Sequence, residues 1–188
     1  MKRKIILSLI IIFIIVSTIL FIVFLTKGDS SRWQVALGGI GVSALPLILL
    51  RLKEIPFNIP LIIGYYFTIL CTTFLGSIAK FYLKHKWWDS TLHLYKGIYI
   101  GLIGIALYKV FVPEHVRHHV SKWILFLFLL SLSVTSSVLW EIYEFVGDLL
   151  FTHTMQLGGN KDTMYDLLSG LSGGMIIAIY ASLRKPNV

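Results

Sequence analysis

Six carboxylates, Asp89, Glu141, Glu144, Asp148, Asp162 and Asp166, with His93 and Lys96, are the residues of this chain able to do chemistry as a group. Asp89, His93 and Lys96 are spaced i, i+4 and i+7. Glu141, Glu144 and Asp148 are spaced i, i+3 and i+7, and Asp162 and Asp166 are four apart. On helices each set forms one stripe. Carboxylates gathered in this way suit hard cations such as Mg²⁺, Mn²⁺ or Ca²⁺, and an imidazole among them extends the choice to Zn²⁺ or Fe²⁺. The candidate metal ligands are Asp89, His93, Glu141, Glu144, Asp162 and Asp166, with Lys96 and Asp148 completing a polar pocket. A bound cation would let these acids coexist. In a catalytic site it would clamp a phosphate and activate water or an alcohol.

Each residue also has a plainer reading. Asp89 and Asp162 suit the first turns of helices, where the dipole favours acids. Asp148 suits the wet interface, and Lys96 could pair with Glu141 or Glu144. His93 reads either as a packed histidine or as a ligand or proton carrier. These readings explain single residues, and they leave the convergence of six acids unexplained.

The elements that position these groups are transmembrane helices. Of 188 residues, 56% are hydrophobic and 14% charged, against about a quarter charged in soluble domains. The net charge of +8, from 17 basic and 9 acidic residues, lies in short clusters between apolar runs. That pattern belongs to loops at an anionic membrane surface, so no nucleic-acid partner is expected. The lone Cys71 excludes an intrachain disulfide and a thiolate metal site. Apolar runs at residues 5–25, 33–50, 56–79, 90–112, 123–151 and 163–183 approach or exceed the roughly 20 residues that cross a bilayer. The expectation is an all-α polytopic bundle of about six transmembrane helices, a single integral membrane domain over residues 1–188. The first run is longer than a signal-peptide core of about 7–15 residues and lacks a small-x-small site, so it reads as an uncleaved span.

With the N-terminus inside, loops and termini on the inner side hold ten Lys and Arg residues and those on the outer side six. Both termini are therefore expected in the cytoplasm. Asp89 opens the fourth span, Glu141 to Asp148 lie late in the fifth, and Asp162 and Asp166 open the sixth. All six acids thus fall toward one membrane face, whichever way the chain is inserted. Charges in hydrocarbon cost at least about 2.5–3.5 kcal/mol, which makes such groups functional candidates.

Other features serve the architecture. Pro46 predicts a kink inside the second span. Gly158, Gly159 and Asn160 predict a turn returning the sixth helix beside the fifth. Gly97, Gly101, Gly104, Gly170, Gly173 and Gly174 permit close helix packing. Trp87, Trp88 and Trp140 read as an interfacial aromatic belt. His85, His115, His118, His119 and His153 read as loop residues, with His153 placed between the last two helices.

The segments WDSTLHLYKGIYIGLIG, SVLWEIYEFVGDLLF and DTMYDLLSGLSGG resemble the YjdF-like family of bacterial membrane proteins and, more distantly, VanZ-like proteins. The resemblance covers about residues 87–178. It places Asp89, His93, Glu141, Asp162 and Asp166 on the family's polar positions, and Glu144 on the second acid of the YjdF-like pattern. The chain departs from the VanZ-like pattern at Glu144, where glutamine is usual, and at Ser169 or Gly170, where asparagine is usual. The resemblance implies the bacterial plasma membrane and work on a lipid or cell-wall precursor.

Three functions follow as expectations. The first is a divalent-cation site binding or acting on a phosphate-bearing lipid or cell-wall intermediate. No paired-aspartate motif followed by Gly-x-x-Ala-Arg accompanies it. The second is proton-coupled transport through Glu141, Glu144 and His93, against which little polar material continues to the other face. The third is a non-enzymatic interaction protein of the membrane. Substrate, metal and oligomeric state are not encoded legibly.

Overall fold

Six helices long and apolar enough to cross a membrane define the fold, with no strand among the described residues. The computed structural model describes residues 1–150, 155–156 and 158–184. Phe151, His153 and Lys185, which bear on the sequence expectations, lie outside the described residues. Internal contacts divide the chain into two compact units, residues 1–88 and 89–188.

The first unit contains α1 (Lys2–Thr26), α2 (Ser30–Ala44), α3 (Leu47–Leu50), α4 (Ile59–Ile69) and α5 (Phe81–Lys84). Its core is Ile6, Ile10, Ile62, Tyr66 and Ile69. Along α1, Ile11, Ile12, Ile15, Ile19 and Ile22 are exposed. In water that surface would be costly, whereas against lipid tails it is not.

Local chemistry sets the boundaries. Asp29, at the end of a loop, is the N-cap of α2 and accepts from the Arg32 backbone N–H. Its side chain also lies 3.5 Å from the Arg32 guanidinium. Asn58 caps α4 by accepting from Leu61 N–H, so the third span starts three residues later than its apolar run. Residues Leu70–Ile78 then continue α4 as a π-helix. Hydroxyls draw on the backbone here: Thr68 donates to the Gly64 carbonyl, Thr72 to Thr68 and Ser77 to Thr72. Such back-bonding loosens the regular ladder.

Pro46 separates α2 from α3, as its position predicts. It cannot donate to the Val42 carbonyl four residues back, and the Tyr65 hydroxyl donates to that carbonyl instead. The neighbouring Tyr66 hydroxyl donates to the Ser43 carbonyl over 3.1 Å. We expect Tyr66→Phe to cost about 1 kcal/mol, because it leaves a buried carbonyl without its donor. Denaturation in mixed micelles would measure this, and an unchanged midpoint would show that the carbonyl finds another donor.

The basic start of α1 has a structural role. Arg3 donates to the carbonyls of Leu50, Leu52 and Lys53, and Lys2 donates to Ile55. These cations close the chain end of α3, where carbonyls have no helical partner.

The second unit contains α6 (Trp88–Phe111, from its second residue), α7 (Glu114–Arg117), α8 (Lys122–Leu150) and α9 (Asn160–Leu183). Tyr108, Leu125, Leu129, Ala178 and Ala181 form its core. Glycines set how closely the three long helices approach. A Cβ on Gly97 of α6 would meet the Gly170 carbonyl of α9, and one on Gly173 would meet the Leu94 carbonyl. Between them, Ser133 of α8 donates to the Gly97 carbonyl over 3.1 Å. The turn before α9 forms as predicted: Gly159 adopts φ +64°, which other residues rarely tolerate, and α9 begins at Asn160.

Candidate metal centre

Helix α6 carries Asp89, His93 and Lys96 on one face, as their spacing requires. His93 is 1% exposed, one of several buried polar side chains of this unit with Ser133, Ser137, Glu141 and Asp166. Its Nε2 lies 3.6 Å from Asp89 Oδ1, one turn back, and 3.6 Å from Glu141 Oε1 on α8. Both carboxylate oxygens are buried without a hydrogen-bond partner. Asp166 of α9, 2% exposed, joins Asp89 and His93 in a group whose ligand atoms all lie within 4.8 Å of one another. Ser90 donates to Asp166 Oδ1 over 2.9 Å, fixing how that carboxylate is turned.

The distances discriminate between two uses. A hydrogen bond to nitrogen needs roughly 2.7–3.2 Å, and separations of 3.6 Å are too long for one. Two ligands bound to a common metal at about 2.0–2.2 Å in tetrahedral geometry lie roughly 3.4 Å apart. The observed spacings thus fit atoms that share a cation better than atoms that bond each other. An unpaired carboxylate oxygen away from water is expensive, and among the described residues Asp89, His93 and Asp166 are the group whose ligand atoms lie close enough together to hold a cation.

Around this core stands a second layer. The Lys96 ammonium lies 4.0 Å from the centre of the Trp140 ring and 3.4 Å from His93 Nε2. Asp89, Glu144, Glu141 and Asp166 are its electrostatic neighbours. Trp140 Nε1 donates to Glu144 Oε1 over 2.7 Å, which locks the indole beneath the ammonium. Thr163 of α9 bonds the Glu141 side chain, and Asp162 lies within electrostatic range of Asp89, Glu141 and Asp166.

The sequence-derived set is therefore partly assembled and partly redistributed. Asp89, His93, Glu141 and Asp166 meet. Lys96 touches His93 directly, Glu144 reaches the group through Trp140, and Asp162 flanks it. Asp148 does something else, because its carboxylate accepts from the backbone N–H groups of Met155 and Gln156 at 2.8–3.1 Å and so ties the end of α8 to those two residues. It reaches them because α8 carries it a full turn beyond Glu144. Trp140, expected in an aromatic belt, belongs to the site, and Ser90 was not anticipated. A signal for Trp140 existed, since it stands four residues before Glu144 and so shares its stripe.

Comparison with known proteins agrees with this architecture. The family model "Predicted membrane protein (DUF2238)" matches residues 7–187, almost the whole chain. The chain belongs to that family. A protein of Thermotoga maritima, carrying the name "Uncharacterized protein", is 30% identical over 134 residues. That match covers 71% of this chain and 66% of the relative, just under two thirds of its length. No solved structure matches. Membership in the DUF2238 family fixes the protein as membrane-embedded, and the chemistry must come from the site itself.

Proposed function

We propose that this DUF2238 protein is a multi-pass protein of the bacterial plasma membrane, a single membrane domain with both termini in the cytoplasm. Its last three helices hold a divalent cation, through which it binds or acts on a phosphate-bearing lipid or cell-wall intermediate. One observation carries the reading. Glu141 Oε1 and Asp89 Oδ1 are buried, lack hydrogen-bond partners, and stand 3.6 Å from His93 Nε2. Asp166 supplies the third carboxylate, and Glu144 and Asp162 are the outer acids of the pocket.

The mixed oxygen and nitrogen donor set favours Mn²⁺, Zn²⁺ or Fe²⁺ over Ca²⁺. An anionic ligand would gain little from a pocket whose carboxylates outnumber its single ammonium, Lys96. With a cation in place it gains a charge to bind, and a position near one membrane face suits a lipid headgroup. The YjdF-like resemblance of residues 87–178 supports an envelope role.

The test is elemental analysis of detergent-purified protein beside the double variant Glu141→Gln, Asp166→Asn. Near-stoichiometric metal in the wild type, absent from a variant with unchanged helicity and elution volume, is the expected result. No metal in either after dialysis against Mg²⁺, Mn²⁺ and Zn²⁺ would overturn the cation site. Proton-linked flux in reconstituted vesicles would then become the measurement to make.

A further inference from the structure

The cluster already contains one cation, and it belongs to the chain. Lys96 Nζ stands 3.4 Å from His93 Nε2, among Asp89, Glu141, Glu144 and Asp166. That imidazole nitrogen has a single lone pair, which serves an ammonium proton or a metal, never both. From the same position the ammonium also lies 4.0 Å from the Trp140 ring centre, a contact it can keep when it leaves the imidazole. Glu144, bonded to the Trp140 indole over 2.7 Å, holds that ring in place.

We propose that Lys96 is a tethered counter-cation that occupies the site in the metal-free protein and is displaced by the divalent ion. Its four-carbon stem lets the ammonium move while its backbone stays fixed in α6. On metal binding the ammonium leaves the His93 side and is held by Glu144 and the Trp140 face, or by the anion that the metal recruits. The exchange keeps a positive charge beside the carboxylates in both states, which an empty acidic cluster in a membrane would lack. It also makes metal uptake a competition, so the site fills above a set metal concentration. This inference rests on the cation site proposed above.

Mn²⁺ binding to full-length detergent-solubilised protein, followed by electron paramagnetic resonance, tests it. Lys96→Met should bind Mn²⁺ at least about tenfold more tightly than the wild type, because a like charge and a competitor are both removed. Lys96→Arg, which retains the charge, should stay near the wild-type affinity. A second readout needs no Lys96 variant. Adding Zn²⁺ to the wild type should shift the part of the tryptophan emission that Trp140→Phe removes, as the ammonium rearranges over the ring. Equal or weaker Mn²⁺ binding by a folded Lys96→Met, or Zn²⁺ binding with no Trp140 response, would overturn the displacement and leave the cation site standing. Absence of metal binding by wild type and Lys96→Met alike would overturn both.

Discussion

Gly97→Ala is expected to destabilise the protein by about 3 kcal/mol, the upper end of what overpacking costs. The added methyl would run into the Gly170 carbonyl and come within 3.0 Å of the Gly174 nitrogen. Neither is a flexible side-chain end, so α6 and α9 must separate. Gly173→Ala repeats the experiment from the other helix, where the obstacle is the Leu94 carbonyl, with the Ile98 nitrogen at 2.9 Å. Gly38→Ala is the control, because a Cβ there meets nothing within 4 Å. It should change stability by less than about 1 kcal/mol, with better helix propensity the only intrinsic term. Denaturation midpoints in mixed micelles would rank the three variants. A Gly97→Ala protein as stable as Gly38→Ala would mean that α6 and α9 do not pack through their glycines.

The second large effect concerns ligand linkage. If the proposed centre takes a metal, that metal at one hundred times its dissociation constant should stabilise the wild type by about 2.7 kcal/mol, because only the assembled site would bind it. His93→Leu should abolish this increment and weaken metal binding by more than about 100-fold, a larger loss than outer-sphere changes usually cause. The variant should still fold, because leucine fills a site 1% exposed in a packed helix face. Thermal unfolding with and without Mn²⁺ measures both quantities. A His93→Leu protein still stabilised by Mn²⁺ would place the ion elsewhere and remove His93 from the ligand set.

The two effects are connected. The glycine contacts between α6 and α9 lie one to three turns from Asp89, His93 and Asp166 on the same helices. A helix pair forced apart by a methyl would therefore also separate Asp166 from Asp89 and His93 on α6. Gly97→Ala should lose metal affinity although it touches no ligand, whereas Tyr66→Phe in the first unit should retain it.

Much of the fold was legible because it depends on local quantities. Apolar run length pointed to six spans, and the structure has six helices of the required length and character. The end of each span at which an acid falls follows from counting alone. Helical spacing put Asp89, His93 and Lys96 on one stripe of α6, where the structure has them. The Gly158–Gly159 turn and the Pro46 break were likewise written in residue types with fixed backbone preferences.

What tertiary structure alone decided is which stripe faces which. Periodicity fixes the face of a helix to which a residue belongs, and it says nothing about how the neighbouring helix is rotated. Glu141 rather than Glu144 meets His93 because of the rotation of α8, which the Ser133 bond to Gly97 helps to set. Asp148 turned out to bind the backbone of Met155 and Gln156, since backbone donors have no signature in spacing. The donors for the carbonyls beside Pro46 came from Tyr65 and Tyr66, in a different helix of the first unit. The sequence by itself determined a six-span membrane protein with six of its nine acids on the last three spans. Rotation and close approach of α6, α8 and α9 brought Asp89, His93 and Asp166 together, with Glu141 against His93, because non-local contacts depend on distances in space that no local pattern encodes.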